Sequence, residues 1–128
     1  ITVEECEQAV ASDSVGAVVT FAGVVRNHDG GKSVLSLEYS GHPSAESVIE
    51  QVAASVAAEF PSVTLAVAHR IGALEIGDLA LACAVASAHR ADAFAACARL
   101  VDEVKTRVPI WKKQYFADGS TEWVAAIG

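Results

Sequence analysis

Two hydrophobic periods divide the chain. Spacings of three and four mark helical segments, and alternation or short apolar runs mark strands. Thr2-Val3-Glu4-Glu5 has the form of a capping box and opens a short helix to about Ala11. Residues 16–26 (GAVVTFAGVVR) are β-branched and apolar, which predicts a buried strand. Residues 27–32 make a polar, glycine-bearing loop, and residues 34–39 return as a strand. Ala45, Val48, Ile49, Val52, Val56 and Phe60 share one helix face in a segment that starts near Pro43 and stops at Pro61. Val63, Leu65, Val67, His69 and Ile71 alternate, so a strand with one buried face is expected next. Gly72 and Gly77 bracket a turn, and residues 79–87 form another apolar strand. A second long helix is expected from about Arg90 to Arg107, with Phe94, Cys97, Val101, Val104 and Val108 on its apolar stripe and Pro109 ending it. Two strands over residues 110–116 and 121–127 are joined by Asp118-Gly119-Ser120. The order is α-β-β-α-β-β-α-β-β. Paired strands between helices predict an α+β fold with mostly antiparallel sheet.

Composition narrows the class. The chain has 128 residues, 52% of them hydrophobic and 20% charged. That length fits one domain over residues 1–128, large enough to hold a core without disulfides or metal. A net charge of −7 argues against a general binder of nucleic acid or of an anionic membrane. No long apolar window lacks charge, so no membrane span is expected. The first residues have no basic stretch leading into an apolar one, so no signal peptide is expected, and the lack of methionine implies that the initiator and a few residues are missing. Cys6, Cys83 and Cys97 are odd in number and form no CxxC. They predict free, buried thiols in a reducing compartment, the cytoplasm, as core residues and not nucleophiles. His28, His42, His69 and His89 show no metal-ligand spacing, and no phosphate-loop or dinucleotide motif occurs. No metal or cofactor site is predicted.

The charge map is the most informative feature. Residues 1–89 hold three basic and eleven acidic side chains, whereas residues 90–113 hold six basic and three acidic ones. Like charges repel, so a cluster of cations in an acidic protein suggests an anionic ligand, although a solvated helix face explains it equally well. Lys105 lies at the edge of the apolar stripe, where its stem lies on the core and its ammonium reaches a cleft. Lys112 alternates with Ile110 and Gln114, so it shares a strand face with an apolar residue. Such a lysine suits acid/base or nucleophilic work. His89-Arg90 stands at a helix N-terminus, a natural phosphate seat, although a capping or buried structural role explains His89 more simply. Arg26-Asn27-His28 closes a strand and opens the glycine loop, a weak ligand signal.

Five blocks carry a more specific signal. They are Phe21-Ala22-Gly23-Val24-Val25-Arg26-Asn27-His28, Leu37-Glu38-Tyr39, His69-Arg70-Ile71-Gly72 with Gly77-Asp78, Ser87-Ala88-His89-Arg90 with Ala93-Phe94, and residues 105–113 (KTRVPIWKK). In this order they closely resemble the large, catalytic subunit family of molybdopterin synthase (MoaE-type), and the resemblance covers nearly the whole chain. It implies an α/β hammerhead-like fold with a small additional antiparallel sheet. It also implies a sulfurtransferase that converts cyclic pyranopterin monophosphate to molybdopterin, in molybdenum cofactor biosynthesis. Each of the two sulfurs comes as a thiocarboxylate on the C-terminal glycine of a small ubiquitin-like (MoaD-type) carrier, whose tail threads into a pocket. Two large subunits form a central homodimer within a heterotetramer. By motif, Lys105 and Lys112 take the catalytic positions, and Arg26, His89 and Arg90 those associated with binding of the substrate or the tail.

The match has departures. The family often has an arginine shortly after its C-terminal Trp-Val, whereas here Trp123-Val124 leads into Ala125-Ala126-Ile127. The segment after Tyr39 (Ser40-Gly41-His42-Pro43-Ser44) is less bulky than usual, with little functional effect expected. Competing classes are a non-catalytic anion-binding module or a scaffold dimer using residues 90–113. A thioesterase-like enzyme would need an acidic general base near the basic cluster, and the sequence places none there.

Overall fold

The computed structural model describes the backbone of residues 1–125 and the side chains of residues 1–124. The elements run α1 (Val3–Val10), β1 (Ala17–Val24), β2 (His28–Asp29), β3 (Lys32–Gly41), α2 (Ala45–Glu59), β4 (Thr64–His69), β5 (Gly72–Glu75), β6 (Leu79–Ser87), α3 (Arg90–Arg107), β7 (Ile110–Phe116) and β8 (Thr121–Ala125). One sheet has the order β1-β6-β4; the other has the order β2-β3-β7-β8, with β5 added to β3. All recorded strand pairs are antiparallel. The α+β expectation, with a second antiparallel sheet, therefore describes the chain, although that second sheet has five strands and is not the smaller of the two.

The central strand β6 explains its own sequence. Leu81, Cys83 and Val85 face α2 and α3 and join Val52, Val56, Leu100 and Val104 in the main core. Ala82, Ala84 and Ala86 face the other way and meet Cys6 and Val10 of α1. Burial on both faces gives an unbroken apolar run, and alanine on one side lets a short helix come close. Thr2 caps α1 as its spacing predicts, its hydroxyl accepting from the Glu5 N–H at 3.0 Å. A third cluster of Val25, Leu37, Leu74 and Ala80 seals the joint between the sheets, with Tyr39 packed against it.

Several expectations need correction. Residues 16–26 are not a fully buried strand: β1 alternates, and Val18, Thr20, Ala22 and Val24 are exposed because α1 covers β6 and β4 more than this edge. The 27–32 loop contains β2, a two-residue strand folded onto β3 by Gly30 and Gly31, whose φ values of 56° and 78° suit glycine. The turn between Gly72 and Gly77 contains β5. Ile71 is 63% exposed because β4 stops at His69, and Phe94 is 61% exposed on the open side of α3. Strand β8 is described to Ala125; the remainder of the expected 121–127 strand lies outside the described residues.

Candidate active site

A cavity of about 220 Å³ opens where the two sheets meet the end of α3. Its walls come from the end of β1 through Arg26, Leu37 and Tyr39 of β3, and His69 of β4. Ala80 and Leu81 of β6, Val104 and Lys105 of α3, Val108, and Ile110, Lys112 and Gln114 of β7 complete them. Both lysines enter for local reasons. Val104 is buried in the core, and Lys105, one position on, is half-buried at the stripe's edge. On β7, Ile110, Lys112 and Gln114 point inward, while Trp111 and Lys113 point outward. Lys112 lies opposite Tyr39 of β3 and Val124 of β8.

The basic segment therefore splits. Arg99 pairs with Glu59 at 3.1 Å and with Glu103 at 3.2 Å, and Arg107 reaches Glu103 at 3.6 Å. Lys113 lies over the Tyr115 and Trp123 rings on the outer sheet face. For these three the solvated-surface explanation suffices. Lys105 and Lys112 instead share the cavity with Arg26, and among the described residues neither lysine forms an ion pair. His89 and Arg90 are not there. They are exposed at the start of α3, and the His89 side chain makes no capping hydrogen bond. Fifteen residues of helix separate Arg90 from Lys105, roughly 22 Å at the α-helical rise.

Burial pushes the Lys112 amine below its ordinary range. Asp29 opposes that shift, Arg26 and Lys105 add to it, and Glu122 opposes it. His69 lines the same wall. Its Nδ1–H donates to the Arg70 carbonyl at 2.6 Å, which leaves the Nε2 lone pair free. Burial lowers its pKa, the Arg70 carbonyl raises it, and Lys105 lowers it. Tyr39 packs edge-on against the imidazole with centroids 5.0 Å apart. A neutral imidazole beside two amines provides proton carriers of different strength within one cavity.

Sequence reasoning passed over His69, read as a core-facing strand residue, and Tyr39 and Gln114. It also placed no carboxylate near the cations, yet Asp29 stands beside them. Arg26 donates to Asp29 Oδ1 at 3.1 Å and Gln114 Nε2 donates to Oδ2 at 2.7 Å. That Gln114 bond, more than the neighbouring cations, holds the carboxyl below its usual range, so it is a poor general base. Only a polar residue in a glycine hairpin marked it in the sequence. An adjoining groove shares His69 and Ile110 with the cavity but carries Glu46 and Glu50, the wrong sign for an anion. Among the described residues no group of His, Cys, Asp or Glu is placed to hold a metal ion.

Comparison with known proteins identifies the family and the fold. The profile of the MoaE protein family matches residues 1–107. A molybdopterin synthase catalytic subunit from Nostoc sp. is 44% identical over 120 residues, covering 91% of this chain and 73% of the relative. The X-ray crystal structure of molybdopterin synthase from Staphylococcus aureus superposes with a TM-score of 0.91 at 35% identity, covering 97% of this chain and 90% of that one. A protein–protein complex of subunits 1 and 2 of the molybdopterin-converting factor from Helicobacter pylori shares the fold, with a TM-score of 0.69 at 22% identity over 88% of this chain and 73% of that one.

Proposed function

Since the chain belongs to the MoaE family, we propose that it is the catalytic subunit of a molybdopterin synthase, a sulfurtransferase that acts on cyclic pyranopterin monophosphate. The observation that carries this reading is the convergence of Arg26, Lys105 and Lys112 on one cavity of a protein with net charge −7. Substrate and sulfur donor are both anions, one a phosphate ester and the other a thiocarboxylate. Fixed cations in a partly dehydrated cavity lower the cost of bringing them together.

The donor is the C-terminal glycine thiocarboxylate of a small ubiquitin-like subunit. In each transfer a carbon–sulfur bond forms on the pterin side chain as the carbon–oxygen bond it replaces breaks and that oxygen leaves protonated; water then cleaves the acyl carbon–sulfur bond, which leaves the sulfur on the pterin and the carrier as a carboxylate. Lys105 stands beside the thiocarboxylate carbonyl, where it stabilises developing charge or delivers a proton. Lys112 is the second proton carrier or orienting cation. Arg26, at the mouth, holds either anion. Lys105→Ala should abolish molybdopterin formation from thiocarboxylated carrier while leaving fold and carrier binding intact. A near-normal single-turnover rate in that variant would remove Lys105 from the chemistry.

His89 and Arg90 serve the phosphate only from a second copy of the chain. Strand β1 favours such a pairing. It is an edge with no charged side chain, and its outward Val18 and Val24 are 47% and 57% exposed. An uncharged edge of this kind accepts another strand. Its start adjoins the approach to α3, since the Gly16 N–H donates to the Ser87 carbonyl at 3.1 Å, and its end leads into Arg26. Two β1 edges paired antiparallel about a two-fold axis bring one copy's His89 and Arg90 to the other's Arg26. Three free, buried cysteines fit a reducing compartment, which supports the cytoplasm as the proposed location. No described helix is long and apolar enough to cross a membrane.

A further inference from the structure

The hairpin that carries Asp29 is too short to add much to the sheet, yet both oxygens of its carboxylate are used. One accepts from Arg26 at the mouth of the cavity; the other accepts from Gln114, whose own side chain is almost fully buried. Gln114 and Lys112 lie two residues apart on the same face of β7. Asp29 thus ties together the chain leaving β1, the short β2 and the strand that bears a reactive amine. It does not line the cavity, so it acts through the residues that do.

The charge balance gives this tie a purpose. Arg26, Lys105 and Lys112 surround about 220 Å³, and before a substrate enters they repel one another. Lys112 is faced by Asp29 from β2, Arg26 from the end of β1, Tyr39 from β3, His69 from β4, Lys105 from α3 and Glu122 from β8. Of the two carboxylates in that set, Asp29 acts the more strongly on the amine. An arriving anion meets an Arg26 already held by Asp29, whose other oxygen stays anchored to Gln114.

We propose that Asp29 is the positioning residue of the anion pocket: it fixes Arg26 and, through Gln114, the Lys112 segment of β7, and it is the counter-charge that Lys112 faces until substrate binds. The inference rests on the reading of Lys112 as a reacting group, and the test separates the two. In Asp29→Asn the shape and one acceptor remain but the charge is gone. Asp29→Glu keeps the charge.

Titration of the Lys112 amine by NMR of the lysine-labelled full chain needs no turnover. It should move to lower pH by about half a unit or more in Asp29→Asn, and lie nearer the parent value in Asp29→Glu. The limb of the single-turnover pH profile that reports Lys112, measured with thiocarboxylated carrier, should shift in the same direction. The KM for the pterin should change as well, because Arg26 loses its anchor. An unmoved Lys112 titration in folded Asp29→Asn overturns the inference. So does an equal loss of activity in the Asn and Glu variants with the pH profile in place, since that describes a structural role only. If the amine titration moves and the rate profile does not, Asp29 keeps its role and Lys112 loses its place in the reaction.

Discussion

At the residue scale, the cavity places Lys112, the proposed reacting group, where stability disfavours it. The folded Lys112 amine has a pKa below its ordinary 10.5, chiefly through burial. Between the two values the folded chain binds fewer protons than the unfolded one, so this group makes stability rise with pH across that window. Lys112→Met removes the slope and, filling similar volume, should gain about 1 kcal/mol near neutral pH in chemical denaturation, while turnover falls severely. A parent-like rate would mean that the amine is dispensable. The cysteines are the opposite case. Burial, with small additions from Cys97 and Cys6, pushes the Cys83 thiol up to about 12, and all three cysteines are free and buried. A folded Cys6→Ala, Cys83→Ala, Cys97→Ala triple variant should therefore keep the sulfur transfer, because the carrier brings the sulfur. Loss of chemistry in that folded variant would point to a persulfide on this chain.

At the element scale, α3 and β6 link stability to function. The helix holds the core through Leu100 and Val104 and presents Lys105 from its last turn. Leu100→Ala should cost about 3 kcal/mol, measured as a lowered denaturation midpoint, and should loosen the wall of the cavity. A Cβ on Gly16 would run into the Ala88 carbonyl oxygen. Gly16→Ala should therefore destabilise by about 2 kcal/mol and disturb the approach to α3 at His89. The elements themselves were largely legible. The capping box, Pro61, Pro109 and the 3.6-residue spacing marked the helices because those signals are local. The two-residue β2 and the four-residue β5 were not legible, because each exists only through its pairing with β3. Phe94 and Ile71 match their patterns yet stay exposed, since a periodicity names a face but not what lies opposite it.

At the scale of the whole molecule, the distance between Arg90 and Lys105 makes the assembly of the proposed site testable. Mixed dimers of a Lys105→Ala chain with an Arg90→Ala chain have one intact pocket if the sites are shared between copies. Random mixing should then recover roughly a quarter of parental activity, whereas self-contained sites would recover none. The sequence alone determined the family, the helices, the central strands and the two lysines, because motifs, caps and periodicities are carried by neighbours along the chain. Only the tertiary structure decided which cations meet. Arg99, Arg107 and Lys113 turned to carboxylates or aromatic rings, Lys105 and Lys112 entered one cavity with Arg26, and Asp29 arrived from a glycine hairpin to face them. Strand pairing sets those meetings across eighty-five residues of chain in the case of Asp29 and Gln114, and no local pattern encodes such a distance.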